Sequence, residues 1–273
     1  MTSDRWAIAD LLDAYDAQLR RDAEVLTATD ITHDGPLVRA RFHRSGFVSY
    51  RDLGGLAGAS LDALIQRTIT HFRDETDVDD VEWKTRGHDQ PADLAERLRA
   101  AGFRAHPEET VMVGEAAALA VPVPIPAGVT LRRLDRTAAT FADDAHRMAA
   151  MQSEVFGAGP TGDELIGRLL QPDGRAEAWV AEADGAVICA GRLEVVPGTE
   201  FAGLWGGGTL EQWRGRGIYR ALVSARASSA IDRGVHYLQS DCTEMSRPIL
   251  ERAGLTRVTT TTPFVWQRDH VPA

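Results

Sequence analysis

The sequence predicts an α/β fold, mixed sheets flanked by helices, in two halves. Three observations carry this. Short apolar runs with strand periodicity alternate with amphipathic runs of helix length along the whole chain. A proline-rich stretch, "ALAVPVPIPAG" at 118–128, interrupts them; alternating prolines lack N–H donors and hold a chain extended, as in a linker. Finally, "VEWKTRGHDQPADLAERLRAAGF" (81–103) is echoed by "VHYLQSDCTEMSRPILERAGL" (235–255). Each reads strand, loop, proline-started helix, then Ala-Gly and an apolar residue, which suggests a duplicated unit. The expected organisation is a domain over 1–118, a linker over 119–128 and a second domain over 129–273.

The elements follow in order. Residues 4–24 predict a helix, with Asp4 as a cap and Ile8, Leu11, Leu12, Tyr15 and Leu19 on one apolar face. Strands are expected at 37–42 and 47–53 around Ser45-Gly46, then a helix over 61–72. "DETDVDD" (74–80) has five carboxylates but no glycine for the sharp turn of a cation loop, so it reads as solvated. A strand from Val81, a helix over 91–101 ended by Gly102, and a strand at 110–113 complete the first half. The second half predicts a strand at 129–134, a helix from a cap at Asp135 to about Met151, and a short helix over 163–170. Strands at 178–182 and 187–196 flank Asp184-Gly185, a hairpin turn. A glycine-rich strand at 201–210, a helix over 218–233, a strand at 236–240, a helix over 248–253 and a strand at 258–266 follow.

The chain has 273 residues and a net charge of −10. Residues 1–120 hold 22 acidic and 14 basic side chains, so the acidity lies mostly in the first half. Sequence-independent nucleic-acid binding and anionic membranes both need a basic face, and neither is expected as a partner. A cationic acceptor is weakly favoured. Cys189 and Cys242 read as buried thiols in a reducing compartment, and the eight histidines show no ligand spacing, so no metal is expected. The first 24 residues are amphipathic and acidic, unlike a signal peptide, and a cytoplasmic protein is expected.

The stretch that carries chemistry is "GTLEQWRGRGIYRAL", 208–222. It runs from a strand through Gln212, Trp213, Arg214, Gly215, Arg216 and Gly217 into a helix starting at Ile218 and Tyr219. A helix start offers unpaired N–H groups and a positive dipole end. Glycines let a backbone approach an anion closely, and successive N–H groups in such a turn form a concave donor site. Two arginines add charge. A pyrophosphate suits this chemistry, whereas a bare basic turn is the plain alternative. No lysine follows the glycines as in a nucleotide-binding P-loop.

Gln-x-x-Gly-x-Gly between a strand and a long helix resembles the acetyl-CoA-binding motif of the Gcn5-related N-acetyltransferases, the GNAT superfamily. The later "ERAGL" resembles that family's Tyr-Glu-Lys-Leu-Gly-Phe unit. The resemblance spans about 128–267. The first half has "YRDLGGLAGAS" (50–60) at the equivalent place, without the basic pair, and resembles a degenerate GNAT-like repeat. The expected fold is thus a tandem GNAT-like acyl-CoA N-acyltransferase. The resemblance implies that Gln212 to Tyr219 bind the pyrophosphate of acetyl-CoA, and that Thr209 and Leu210 pair with its pantetheine arm. Gly206, Gly207 and Gly208 leave space there, or form a bulge. Tyr219 stands where the family often has Gly or Ala, either lining the phosphate site or simply packing.

The implied reaction is acetyl transfer to a small-molecule amine. A base must take the amine's proton, and Glu194 and Asp241 are the candidates, with strand parity left open. A backbone N–H near Thr209–Leu210 would hold the carbonyl oxygen. The family's acid, the Tyr of Tyr-Glu-Lys-Leu-Gly-Phe, corresponds here to Leu250, which cannot donate; water or Ser246 would substitute. A non-catalytic acyl-CoA sensor and a longer-chain acyltransferase are the rivals. Monomer and homodimer are both compatible with the sequence.

Overall fold

The computed structural model describes residues 3–268, with side chains from Ile8 onward. The proposed cap at Asp4 lies outside the described side chains. The chain divides into two compact units. The first comprises Met1–Val111, Asp241–Met245 and Arg257–Ala273, and the second Met112–Ser240 and Ser246–Thr256. The strand expected to close the second half therefore belongs to the first unit.

Elements of the first half are α1 (Ser3–Gln18), β1 (Asp30–Asp34), β2 (Leu37–Phe42), β3 (Ser45–Ser49), α2 (Gly58–Glu75), β4 (Asp80–Arg86), α3 (Leu94–Ala100), β5 (Arg104–Ala105) and β6 (Glu109–Glu115). Then come α4 (Ala116–Leu119), β7 (Val129–Arg133), α5 (Phe141–Phe156), α6 (Gly162–Leu169), β8 (Ala176–Ala183), β9 (Ala186–Val195), β10 (Phe201–Thr209), α7 (Ile218–Asp232), β11 (Tyr237–Cys242), α8 (Arg247–Ala253) and β12 (Thr256–Gln267).

In the first unit, β1, β2 and β3 are antiparallel neighbours, β3 pairs in parallel with β4, and β12 runs antiparallel to β4. In the second, β7, β8, β9 and β10 are antiparallel neighbours and β10 pairs in parallel with β11. Both units thus show an antiparallel run ending in a parallel pair, joined by one long helix, α2 or α7. Each unit buries its own apolar cluster. Leu61, Leu64, Ile65 and Phe72 of α2 pack with Val48, Trp83 and Phe264; Met148 and Met151 of α5 and Leu222 of α7 pack with Val180, Ile188 and Ala190.

Several local expectations change. The first helix stops at Gln18 and a 3-10 turn follows (Arg21–Val25), because Arg21 takes φ 63°. The β2–β3 turn falls at His43-Arg44, with His43 at φ 52°, not at Ser45-Gly46. Gly46 lies inside the strand, where a Cβ would meet the Phe72 ring at 2.7 Å. Asp135 caps no helix. It accepts from the Thr137 backbone N–H (2.9 Å) and hydroxyl (2.7 Å), a local turn, and α5 begins six residues later. The Asp184-Gly185 hairpin forms as its sequence dictates, with φ 50° and 78°. "DETDVDD" is not one solvated loop: Asp74 and Glu75 end α2, Asp80 begins β4 and Val78 between them is buried, while Asp74, Asp77 and Asp79 pair with Arg73, Arg41 and Arg44.

Candidate active site

The candidate site lies in the second unit, along β10. Its parallel pairing with β11 runs only from Phe201 opposite Tyr237 to Gly203 opposite Gln239. Beyond Gly203 the parallel register ends, although the Ser240 hydroxyl still donates to the Leu204 carbonyl at 3.1 Å. On its other side, β10 breaks register with β9 between Trp205 and Gly208. Trp205 faces Arg192 and Gly208 faces Ala190, so Gly206 and Gly207 together oppose Gly191. This is a β-bulge, with Gly206 at φ 57°.

Side chains from both faces fill the room that the glycines leave. Gln152 of α5, 1% exposed, donates Nε2–H to the Gly206 carbonyl at 2.5 Å. Val155 and Phe156 lie against Gly208. From α7, the Tyr219 hydroxyl lies where a Cβ on Gly207 would be, 2.6 Å from that position. Behind Gly191 lies the guanidinium of Arg226, fully buried, bonded to the carbonyls of Arg192 (2.9 Å) and Leu222 (3.2 Å) and to Tyr219. Burial lowers the Arg226 pKa.

The basic turn follows directly. Thr209 is buried and its hydroxyl donates to Cys189 Sγ (3.1 Å), while the Leu210 N–H reaches the Ile188 carbonyl. Burial pushes the Cys189 thiol up to about 11, which argues against a nucleophile. Glu211–Trp213 form a 3-10 turn, with Gln212 exposed. Arg214 Nε donates back to the Thr209 carbonyl at 3.1 Å. The Arg216 guanidinium stacks 4.8 Å from the Trp213 ring centroid. Gly215 and Gly217 take φ 75° and 81°, and Gly217 starts α7 with no side-chain cap. Ile218 is buried, and Arg214, Gly215 and Arg216 are exposed. An anion at this turn would meet uncapped helix N–H groups beside two guanidiniums, a donor set that fits a pyrophosphate. The proline-rich stretch runs alongside: Ser224 Oγ donates to the Val121 carbonyl (2.7 Å), and the Pro124 carbonyl lies beside Gly217.

No protein-family model matches the chain, and no curated protein does. Solved structures do. A GCN5-related N-acetyltransferase from Kribbella flavida aligns with a TM-score of 0.67 at 17% identity, covering 94% of this chain and 95% of that one. One from Sphaerobacter thermophilus gives 0.61 at 18% identity, covering 85% and 77%. A tandem GNAT protein from the clavulanic acid biosynthesis pathway gives 0.58 at 15% identity, covering 86% and 79%. The fold is that of the GCN5-related N-acetyltransferases.

Within this GNAT fold, Thr209, Leu210, the turn 212–217, Ile218 and Tyr219 form one continuous segment. The two base candidates fall in different units and have different partners. Glu194 of β9, in the second unit, accepts from Arg192 Nε at 2.9 Å and lies 3.6 Å from Arg168 Nη1. Asp241 falls in the first unit and pairs with Lys84 Nζ at 2.6 Å. Burial works against the Lys84 charge, but the Asp241 carboxylate outweighs it and the Lys84 pKa is raised. Leu250 is buried and apolar. Gln152 and Arg226 were not singled out by sequence reasoning. Each stands one turn after a core residue of its helix, Gln152 after Met148 and Arg226 after Leu222, and a polar residue on that apolar face is the signal that could have found them.

The first unit has a cavity of about 760 Å³, lined partly by the loop after Tyr50. Asp13, Asp16, Asp52 and Asp89 line it, against Arg20 and Arg51. Asp89 accepts from Arg20 (2.8 Å) and the Tyr50 hydroxyl (2.5 Å). Four carboxylates against two guanidiniums do not suit a pyrophosphate.

Proposed function

We propose that the second unit transfers an acetyl group from acetyl-CoA to a small amine. One observation carries the reading: β10 parts from β11 after Gly203, bulges at Gly206–Gly207, and ends in a glycine turn that opens α7 beside Arg214 and Arg216. The pyrophosphate would sit at the turn, and the pantetheine arm would add to the β11-side edge of β10 beyond Gly203 as a strand would. The thioester supplies an activated acyl carbon. A backbone N–H of β10 would hold its carbonyl oxygen, though the Leu210 N–H is already given to the Ile188 carbonyl, and Glu194 would take the amine's proton through water.

Calorimetric titration with acetyl-CoA tests the binding step. Saturable binding is expected, weakened at least about tenfold by Arg214→Ala/Arg216→Ala through loss of charge-assisted bonds. Absence of binding by the wild-type chain sinks the reading. Thiol release with a panel of primary amines then separates an enzyme from a non-catalytic acyl-CoA sensor. Leu250, an apolar residue where the resembling family carries its acid, is the observation that favours the sensor.

A further inference from the structure

Strand alternation sorts the side chains of β9. Arg192 and Glu194 stand on one face, Gly191 and Leu193 on the other. Gly191 meets Arg226 of α7, whereas Glu194 lies near Arg168 of α6. Arg192 therefore shares the α6 side of the sheet with Glu194. It stands opposite Trp205 of β10, just before the bulge. The Trp205 indole folds back over Gly203, so closely that a Cβ on that glycine would overlap it. The Arg192 guanidinium reaches the bulge itself, with Nη1 3.2 Å from where a Cβ on Gly206 would lie.

The donors and charges on this face do not balance. Arg192 is only 9% exposed. Its Nε donates to Glu194 Oε1 at 2.9 Å, and Arg168 Nη1 lies 3.6 Å from the same oxygen, so one carboxylate serves two guanidiniums. Among the described residues, Nη1 and Nη2 of Arg192 have no hydrogen-bond partner, and neither is shut off from solvent. A guanidinium carries its N–H donors in a planar fork that matches a carboxylate, and holding Glu194 uses only the Nε–H. Gln152 Oε1, also at Gly206, is a buried acceptor without a partner. The bulge is thus flanked by unmet donors and an unmet acceptor.

We propose that the Nη1–Nη2 edge of Arg192 binds a carboxylate, and that the acceptor is an amino carboxylate such as an α-amino acid. This rests on the acetyltransferase reading above and makes Arg192 the residue that sets acceptor choice. The Arg192–Glu194 pair presents a cation and an anion side by side, and an α-amino acid is the complementary zwitterion. Its carboxylate meets the Nη edge, and its ammonium lies toward Glu194, the base of the proposed reaction. A polyamine offers Arg192 nothing and brings further positive charge toward Arg168. The acidity that favours a cationic acceptor lies mostly in residues 1–120, whereas this cluster carries a surplus cation.

The test is acetyl transfer by the full chain with matched acceptors, read as thiol release. Each free amino acid is paired with its carboxamide, which keeps the amine and loses the negative charge. The free acid is expected to be favoured at least about tenfold in kcat/KM, the scale of a hydrogen bond to a charged group. The amide's amine is the less basic of the two, so its readier deprotonation works against that preference. Arg192→Gln should bring the ratio close to one, mainly through the acceptor KM, and leave acetyl-CoA affinity by calorimetry within about threefold. Arg192→Lys keeps the charge without the planar fork and should give an intermediate ratio, which separates lost recognition from a folding defect. A wild-type ratio of one or below, or a ratio unmoved in Arg192→Gln, overturns the proposal while leaving the acetyltransferase reading standing. Acetyl-CoA binding with no acceptor of either kind turned over overturns it as well. A wild-type chain that binds no acetyl-CoA overturns both.

Discussion

The Gln152 amide and the Gly206 carbonyl meet at 2.5 Å across the space between α5 and the β10 bulge. One buried helix side chain thus satisfies the carbonyl that the bulge has turned out of the β9 ladder.

Removing that donor should loosen the bulge. Gln152→Ala leaves a buried carbonyl unsatisfied and is expected to cost about 2 kcal/mol by urea unfolding. In the proposed reaction KM for acetyl-CoA should rise more than kcat falls. A stability unchanged within error would show that the bulge does not depend on Gln152.

Gly207 and Tyr219 should be coupled. Gly207→Ala puts a methyl 2.6 Å from the Tyr219 hydroxyl position, and a cost of about 1–3 kcal/mol from overpacking is expected. Tyr219→Phe removes the nearest of the clashing atoms but keeps the ring Cε2 at 2.9 Å, so the double variant should lose less than the sum of the singles without full relief. A double-mutant cycle with no coupling term would contradict the packing described.

The Lys84–Asp241 pair should matter to the first unit. Asp241→Asn leaves a mostly buried ammonium without its counter-charge and is expected to destabilise by about 3 kcal/mol. Because the folded Lys84 pKa is raised above 10.5, its contribution is fully present below that pH and fades as pH rises through the folded value. Alkaline melts should therefore differ fully up to pH 10.5 and draw together only above it for wild type and Asp241→Asn, and curves that stay parallel above that pH would argue against the pair.

Acid should act on the second unit through Asp144. Its hydrogen bond from Arg132, against the opposing effect of burial and helped by Arg147, holds the carboxyl below 3.8. That stability is present above pH 3.8 and lost as pH falls through the folded value. Arg132→Gln should flatten the fall in Tm between pH 5 and about pH 2, which thermal scans would reveal directly.

Turn chemistry was the most legible layer of this fold. Asp184-Gly185, the stops at Gly234 and Gly254, and the glycine turn into α7 all follow from residues that tolerate positive φ. Glu194 and Asp241 show where reading stops. Both lie on β strands as expected, but whether a carboxylate meets Arg192 or Lys84 depends on register and on which strand returns alongside. Asp135 offered two local solutions, a helix cap and an Asx turn, and the nearer Thr137 decided between them. Assigning β12 to the second half followed chain order, whereas pairing of Thr261–Gln267 with Asp80–Arg86 is a long-range choice with no local mark.

That pairing has a consequence for biosynthesis. On the ribosome, β3 and β4 emerge more than 170 residues before β12. Until translation reaches the C-terminal strand, one flank of β4 carries unpaired backbone groups in a nascent chain whose downstream unit is still being made. A premature stop before residue 257 would leave that flank permanently bare, so truncated products should be prone to clumping and degradation even when residues 112–240 are intact.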